Sequence, residues 1–351
     1  MGFFIKTQTA LGVDISPGSL KLLELQKKGS IFSIKAFADA PLPKGLLVGD
    51  AISDKATFDH LLKAALDHPQ YGKFGSHFVV ANIPETKSFV RVIQIPTMSE
   101  VEAEAAVPFE AENFIPMPID QVYLDWQKLS DSGDKMNILI IATPKEFADQ
   151  YLSVLEKSGL RPVALEAESQ SCHRALIDTT KKETSLIVDL AESRTSLIMV
   201  EEGNMQFTST IPFAGSTFTE SIARTLGVSS AKAEMIKLKI GLENTVEYPN
   251  IKTSLLPILN NLTAEIKNIL KFHSEHSDKE VVKIILTGGT AKLKNLPQFL
   301  AEGFTDMPGL EFVLGDPLQR LGLGDSSPLD AFASLNYTTA IGLAMRGAGF
   351  Q

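Results

Sequence analysis

The chain has 351 residues, of which 44% are hydrophobic, and it carries a formal net charge of −9. An acidic chain without a Lys/Arg-rich run lacks the basic surface that nucleic-acid binding requires, so we expect no nucleic-acid partner. The lone Cys172 excludes an intrachain disulfide and favours a reducing, cytoplasmic compartment. The most apolar windows, residues 137–142 and 281–289, are far shorter than the roughly 20 residues of a membrane-spanning helix, so no transmembrane segment is expected.

The first elements form an antiparallel meander. Residues 10–38 read as three strands separated by the turns SPGS and KKGS. A helix capped by Ser53 and a strand over residues 77–83 follow. The predicted order is therefore three strands, a helix and a strand.

Residues 88–165 predict an inserted α/β subdomain. A capping box of Ser99 and Glu102 opens its first helix, which we expect to break at or near Pro108. Thr143 and Pro144 are expected at the N-cap and first position of its second helix.

The opening pattern returns at residue 184. A strand ending in Asp189 leads through a turn of small and polar residues into two more strands, which indicates an internal duplication. Helices are predicted over residues 216–226, 229–240 and 254–275. The strand VVKIIL, the turn TGGT, a helix from about Lys292 and a last helix over 335–347 complete the chain.

Two Asp-tipped hairpins and one Gly-Gly turn predict a polyphosphate site. Tight turns of small residues expose backbone N–H groups to anions, and Mg²⁺ keeps several waters while taking few carboxylates. We therefore expect Asp14 and Asp189 to hold Mg²⁺, Lys21 to neutralise phosphate charge, and Gly288 and Gly289 to lie against the nucleotide. Each feature alone is typical of an ordinary turn, and only their recurrence in a duplicated order favours a site.

This order of motifs resembles the actin/Hsp70/sugar-kinase superfamily. The resemblance implies an α/β, actin-like (RNase H-like, duplicated) fold with two lobes around a nucleotide cleft, and ATP and Mg²⁺ as ligands. The implied nucleotide-binding residues of the three motifs are Asp14, Ser16, Ser19 and Lys21, then Asp189, Ala191 and Thr195, then Gly288, Gly289 and Thr290. Ser16 and Ala191 stand where the family usually has Gly, which would weaken binding if either needed a left-handed backbone.

Residues 215–241 resemble the corresponding helix pair of the cell-division protein FtsA. The resemblance implies that Gly215 and Ser216 open the first of these helices at the nucleotide and that Glu234 and Lys237 meet the ribose. The alternative is that Glu234 and Lys237 form an ordinary surface ion pair at i,i+3 spacing.

The phrases FEAENFIPMPID, VALEAESQSCHRAL and YTTAIGLAMRG resemble the PilM family of type IV pilus assembly proteins. The implied subdomains are a first actin-like part over 1–86, an FtsA-like insert over 87–165, return helices over 166–182 and 330–351, a second actin-like part over 183–215 and 281–329, and a helical adenosine-side part over 216–280.

The family implies an ATP-binding adaptor rather than a catalyst. Its partner would be the N-terminal cytoplasmic peptide of a PilN-like inner-membrane protein, with other pilus components beyond it, so the chain would be cytoplasmic and recruited to the inner membrane. Slow or no ATP hydrolysis is expected, because neither hairpin turn supplies a clear Gln or Glu to orient an attacking water, and Glu192 is a candidate only by its closeness in sequence. The predicted peptide groove comprises Arg91, Glu110, Glu112, Asn113, Phe114 and Pro116.

The alternative function is a small-molecule kinase of the same superfamily. A kinase needs an acceptor site and a base facing the acceptor hydroxyl, and the sequence offers no obvious acid for that role. Fold alone does not decide between the two, since one scaffold hosts both chemistries.

Overall fold

The computed structural model describes residues 9–29, 31–243, 245–323 and 327–350. The chain divides into a first unit of Met1–Leu176, Pro317–Asp330 and Tyr337–Gln351 and a second unit of Ile177–Asp316 and Ala331–Asn336. Within the described ranges, no helix has both the length and the apolar composition of a membrane span. The finer division into subdomains stays a prediction.

Most strands and helices of the first unit precede the point where the chain enters the second unit at Ile177. They are β1 Leu11–Ser16, β2 Ser19–Lys28, β3 Ile31–Pro41, β4 Leu47–Val48, β5 Ala51–Ile52, α1 Lys55–Asp67, β6 Tyr71–Gly72, β7 Phe78–Ile83, β8 Phe89–Pro96, α2 Glu100–Ala111, β9 Val122–Ser132, β10 Lys135–Pro144, α3 Lys145–Lys157, β11 Arg161–Ala167 and α4 Glu168–Leu176.

The second unit follows, and the chain then returns to the first. The remaining elements are β12 Ser185–Leu190, β13 Thr195–Glu201, β14 Asn204–Ile211, α5 Gly215–Leu226, α6 Ser230–Ile240, α7 Ile251–His276, β15 Lys283–Thr287, α8 Leu296–Glu302, β16 Glu311–Leu314, α9 Ala331–Ser334 and the returning α10 Thr338–Gly347.

The main sheet of the first unit has the strand order β11-β7-β1-β2-β3-β6. Apolar side chains of α1 and α3 pack against one face of β1. On the other face α10 approaches so closely that a Cβ on Gly12 would overlap the carbonyl of Ala340. Because side chains alternate along a strand, Asp14 points to the same face as Gly12. The strand therefore delivers a carboxylate to its own end, on the α10 side.

A smaller antiparallel sheet of β8, β10 and β9 lies in the inserted segment. Helix α2 packs on it through Ala103, Val107 and Ala111. The predicted capping box is confirmed: the side chains of Ser99 and Glu102 bond each other's backbone N–H groups.

The second unit repeats the strand arrangement of the first. Its strands run β16-β15-β12-β13-β14, with β16, β15 and β12 parallel and β12, β13 and β14 antiparallel. In the first unit β7 and β1 are parallel and β1, β2 and β3 are antiparallel in the same way. The predicted duplication is therefore present in the topology. Helices α5, α6, α7 and α8 bury their apolar faces in one core with this sheet.

Two predicted helix starts are wrong by one residue. Helix α1 is capped by Asp54, whose Oδ1 accepts the N–H groups of Ala56 and Thr57 at 3.0 and 3.1 Å. Ser53 instead donates its hydroxyl to the carbonyl of Gly45 at 2.8 Å. Helix α3 begins at Lys145 because Pro144 still pairs in strand β10. The first error arises because Ser53 and Asp54 can each serve as a cap, and the second because strand β10 continues through the predicted cap.

Two further helix predictions are wrong. Helix α2 continues through Pro108 to Ala111, because Val107 and Ala111 bury against the small sheet and offset the one lost hydrogen bond. After β15 the chain forms a 3₁₀ turn over Gly289–Lys292, and α8 starts only at Leu296.

A buried ionic cluster joins β11, α4 and α10 inside the first unit. The Glu166 carboxylate is fully buried and accepts hydrogen bonds from Ser171 at 3.0 Å, Arg174 at 2.7 Å and Arg346 at 3.0 Å. We expect Glu166→Gln to lower the free energy of unfolding by about 3 kcal/mol, because two guanidinium groups lose their counter-charge. Denaturant unfolding measures this loss.

Glu183→Gln is the matched control for that substitution. Glu183 pairs with Lys283 at 2.6 Å in a half-exposed position. An ion pair open to solvent contributes roughly 0–1 kcal/mol, so this variant should unfold nearly like the wild type. Equal losses in the two variants would contradict the structural role assigned to Glu166.

Candidate functional site

The hairpin of β1 and β2 brings together the four predicted residues of the first motif. Asp14 lies opposite Lys21, and Ser16 lies opposite Ser19. The Ser16 hydroxyl donates to Asp14 Oδ1 at 2.7 Å, and Lys21 Nζ donates to the Ser19 hydroxyl. We call this group the first half-site.

Asp14 is only 4% exposed. Burial raises the pKa of its carboxyl, and the nearby carboxylates of Glu168 and Asp39 raise that pKa further. Lys21 and the Ser16 hydroxyl act in the opposite direction and lower the pKa, without cancelling the effect of burial. A bound cation such as Mg²⁺ would therefore stabilise the anionic form of Asp14.

Sequence reasoning missed two residues that hold the end of β1 in place. Asn82 accepts the Ile15 N–H at 2.7 Å and donates to the Ile15 carbonyl at 3.1 Å and to Glu168 Oε1 at 3.0 Å. Glu168 Oε2 accepts the Glu85 N–H at 3.2 Å. A strand-borne Asn and a Glu at the start of α4 carry no local signal, because they reach Asp14's strand only through tertiary packing.

Substituting Asp14 should change stability in a pH-dependent way. Because the folded pKa lies above the unfolded value, the native state binds this proton more tightly than the unfolded chain does. The stabilisation is complete below the unfolded pKa of about 4 and is lost as the pH rises through the folded pKa. We expect Asp14→Asn, which cannot ionise, to unfold at higher denaturant concentration than the wild type at about pH 7, with a smaller difference near pH 4.

Denaturant midpoints of the nucleotide-free protein, measured across this pH range, give the result. The surface variant Asp278→Asn controls for the loss of one negative charge, since Asp278 is exposed. A stability difference for Asp14→Asn that shrinks as the pH rises would contradict the buried, proton-binding environment described for Asp14.

The hairpin of β12 and β13 forms the second half-site together with the start of α5. The Ala191 N–H donates to the Arg194 carbonyl at 3.1 Å and closes the turn. Gly215 and Ser216 then donate their N–H groups to the carbonyls of Ala191 and Glu192 at 2.9 and 3.0 Å. These backbone N–H groups therefore already bond to protein carbonyls. Ser216 can contact a ligand through its side-chain hydroxyl.

Thr195 secures the segment that precedes α5. Its hydroxyl donates to the carbonyl of Phe213 at 2.6 Å, and its backbone pairs with Leu190 on β12. This threonine therefore positions the half-site through the protein rather than facing outward with a free hydroxyl.

The Gly-Gly turn lies directly against the Asp189 hairpin. Gly288 has φ +84° and ψ 173°, a conformation that is essentially restricted to glycine. A Cβ on Gly288 would stand 2.5 Å from Asp189 Oδ1 and 2.7 Å from the Leu190 carbonyl. Thr290 is buried next to Gly215, where a Cβ would overlap its hydroxyl. The structure thus brings Asp189, Gly215, Gly288 and Thr290 together.

The predicted ribose pair is an ordered cluster on α5 and α6. Lys237 is buried, and its Nζ donates to the Gly215 carbonyl at 3.1 Å, to the Thr219 hydroxyl at 3.0 Å and to Glu234 Oε2 at 2.7 Å. An ammonium has three donors, so Lys237 is saturated by the protein. The Glu234 side chain is 43% exposed and keeps free lone pairs for a ligand. The i,i+3 ion pair of the alternative is present, but only Glu234 is at the surface because Lys237 is buried, and contact with the ribose stays a prediction.

The predicted peptide-groove residues lie at the end of α2 and on β8. The guanidinium of Arg91 stands 5.7 Å from the ring centroid of Phe114, which is 38% exposed. Asn113 donates to the Glu110 carbonyl at 3.4 Å, and Glu112 and Pro116 are exposed. The sequence prediction missed Phe109, which is 75% exposed on the same stretch. We call these seven residues the α2 surface.

Similar solved structures define the class of protein. EutJ from Carboxydothermus hydrogenoformans superimposes with a TM-score of 0.55 at 16% identity, covering 96% of this chain and 89% of that one. MreB5 of Spiroplasma citri bound to ADP gives 0.52 at 14% identity, covering 94% and 95%. The fold is the actin-like ATPase fold, as predicted.

Closer matches define the family. The PilM–PilN type IV pilus biogenesis complex contains a chain with a TM-score of 0.82 and 26% identity, covering 97% of this chain and 99% of that one. The family model described as type IV pilus assembly protein PilM matches residues 12–348. The chain therefore belongs to the PilM family of type IV pilus assembly proteins, which confirms the resemblance found in the sequence.

Curated relatives match a smaller part of the chain. FtsA of Pseudomonas aeruginosa is 27% identical over 199 residues, which is 50% of this chain and 45% of that protein. FtsA of Escherichia coli K12 is 23% identical over 246 residues, which is 62% and 56%. The match thus spans about half the length of these relatives.

Proposed function

We propose that this chain is an adaptor of type IV pilus assembly that binds Mg-ATP and holds a membrane-protein partner. The observation that carries the nucleotide half is the connected second half-site, in which Asp189, Gly215, Lys237 and Gly288 lie within one network of direct contacts. Membership of the PilM family and the actin-like fold support the same conclusion.

Each half-site supplies distinct chemistry to the nucleotide. Asp14 and Asp189 would hold a hydrated Mg²⁺ ion, which would supply positive charge to the triphosphate. Lys21 and the hydroxyls of Ser16 and Ser19 would donate hydrogen bonds to the phosphates. Glu234 would accept a hydrogen bond from the ribose, and the ion pair with Lys237 holds the Glu234 side chain in place. The backbone of Gly288 and Gly289 would lie against the base.

We expect binding without rapid hydrolysis. The carboxylate of Glu168 is close enough to Asp14 to raise the pKa of the Asp14 carboxyl, yet its two oxygens already accept hydrogen bonds, one from Asn82 and the other from the Glu85 N–H. A carboxylate held in this way is poorly placed to orient an attacking water. Turnover should stay below about 1 s⁻¹.

The partner half of the proposal concerns the α2 surface. In the similar PilM–PilN complex a PilM chain binds PilN. We propose that the extended N-terminal segment of a PilN-like protein docks here, with an apolar side chain against Phe114 and Phe109 and acidic or carbonyl groups toward Arg91. Such docking would recruit a cytoplasmic protein to the inner membrane.

Phe114→Ala should weaken partner binding strongly. Removing a central aromatic anchor costs about 2 kcal/mol, or roughly 30-fold in Kd. Fluorescence anisotropy with the labelled N-terminal peptide of the PilN-like protein from the same organism measures the change. Phe272→Ala, which changes a similarly exposed phenylalanine on α7, is the control and should bind like the wild type.

Unchanged peptide affinity in Phe114→Ala would contradict the assignment of the α2 surface.

A separate assay addresses the kinase alternative: ADP release is measured with and without sugar or acid acceptors. Acceptor-stimulated turnover would favour the kinase, and the adaptor proposal predicts none.

A further inference from the structure

Asn336 has a buried oxygen that the protein leaves without a hydrogen bond. Its side-chain Oδ1 has no partner among the residues that the structure describes. That oxygen lies 3.3 Å from the position a Cβ on Gly289 would occupy. A buried carbonyl oxygen without a donor is unfavourable, so its persistence beside the Gly-Gly turn suggests a donor that comes from a ligand.

The neighbouring segment is fastened to the same turn. The Gly288 N–H donates to the Leu335 carbonyl at 3.2 Å, one residue before Asn336. Residues Ala331–Asn336 leave the first unit and belong to the second, although the chain on both sides belongs to the first. The position of Asn336 against the glycines is therefore built by the fold and is not an accident of a loose loop.

An aromatic ring stands on the same short segment. Phe332 is 51% exposed, and its ring centroid lies 5.9 Å from Nζ of Lys292, at the end of the 3₁₀ turn that starts with Gly289. Exposed aromatic side chains provide stacking surfaces for nucleobases. A glycine backbone, an aromatic ring and a carboxamide thus lie around one turn of the second unit.

We propose that Asn336 reads the base of the bound nucleotide and selects adenine. This inference rests on the proposed function, in which Gly288 and Gly289 lie against the base. A carboxamide pairs with adenine in a bidentate way: Oδ1 accepts from the N6 amine and Nδ2 donates to N7. Hypoxanthine and guanine carry an oxygen at position 6, which would face the Asn336 oxygen and repel it.

The test pairs side-chain changes with changes of single base atoms. ATP, ITP and 7-deaza-ATP are titrated, each with Mg²⁺, into the wild-type chain and into Asn336→Leu. The wild type should bind ATP about 10- to 100-fold more tightly than ITP and about 10-fold more tightly than 7-deaza-ATP. In Asn336→Leu the three affinities should agree within about twofold, because the group that distinguishes them is gone.

Stability measurements separate base recognition from a structural role. Leu has the same number of side-chain heavy atoms as Asn with the same branching at Cγ, and Oδ1 has no partner to lose, so the Tm of Asn336→Leu should not fall below that of the wild type. Asn260→Leu, on the exposed side of α7, is the matched control and should keep the wild-type nucleotide preferences. Asn336→Asp, which keeps the shape, should retain the preference for ATP over ITP and lose the penalty for 7-deaza-ATP.

Four results would overturn the inference. A wild-type chain that binds ATP and ITP equally has no base reader at Asn336. A folded Asn336→Leu that keeps the ATP preference, or an Asn336→Asp that keeps the 7-deaza penalty, shows that another group reads the base. A wild type that binds none of the three nucleotides contradicts the proposed function itself and this inference with it.

Discussion

Replacing Asp189 with asparagine is expected to lower the affinity for Mg-ATP about 100-fold, or ~2.7 kcal/mol. The carboxylate of Asp189 is the proposed ligand for hydrated Mg²⁺ in the second half-site, and a neutral amide cannot replace its charge. Asn keeps the size of Asp beside Gly288, so the second unit should stay folded. Isothermal titration with Mg-ATP measures the loss.

Asp278→Asn is the matched control for Asp189→Asn. Asp278 is an exposed acid of the same unit that follows α7, so its substitution removes an equal charge away from the half-site. Its Kd for Mg-ATP should equal that of the wild type. If the two variants bind Mg-ATP equally well, Asp189 does not hold the metal.

Gly288→Ala is expected to destabilise the second unit by more than about 2 kcal/mol. The backbone of Gly288 occupies a region that is nearly restricted to glycine, which costs an L-residue about 1–3 kcal/mol. The new methyl group would also stand 2.5 Å from Asp189 Oδ1, so the aspartate must move. We therefore expect a lower Tm together with weaker Mg-ATP binding.

Gly227→Ala separates backbone strain from the contact with Asp189. Gly227 ends α5 at φ +63°, and no atom lies within 4 Å of where its Cβ would stand. This variant should lose only about 1–2 kcal/mol and should bind Mg-ATP like the wild type. Full nucleotide affinity in Gly288→Ala would contradict the place of the Gly-Gly turn in the site.

The sequence was sufficient to predict the hairpins, the Gly-Gly turn and the duplicated topology, because each depends on short-range patterns. Strand alternation and small polar turns are local signals, and they located Asp14, Asp189 and Gly288. Asn82, Glu168 and Asn336 carried no such signal. They lie far along the chain from the residues they support, and only tertiary packing brings them close.

Ser16 and Ala191 stand where the family usually has Gly, and their backbone conformations show whether a left-handed residue is needed there. Neither is among the described non-glycine residues with positive φ, which are Asp50, Lys182, Glu202 and Asn295. Ser16 is extended in β1 and uses its hydroxyl on Asp14. The left-handed strain that would weaken nucleotide binding is therefore absent at both positions.

The helix-end errors have a different origin. At residues 53–54 two adjacent residues can cap the helix, and Asp54 does so because the Ser53 hydroxyl donates to the carbonyl of Gly45. At residues 143–145 the strand pairing of β10 continues through Pro144 and delays the start of α3. At Pro108 the local rule predicts a break, but burial of the residues around it extends the helix. Local residue propensities predict these helix boundaries only approximately, and tertiary packing determines where each helix ends.

The central proposal is that Asp14 and Asp189 both contribute to Mg-ATP binding. A double-mutant cycle tests it, with Mg-ATP affinities measured for the wild type, Asp14→Asn, Asp189→Asn and the double variant. If both carboxylates hold the same metal, the double variant should lose at least tenfold less affinity than the product of the single losses, since the second substitution removes what the first has already broken. Strictly multiplicative losses, or an Asp14→Asn variant with wild-type affinity, would contradict a shared site.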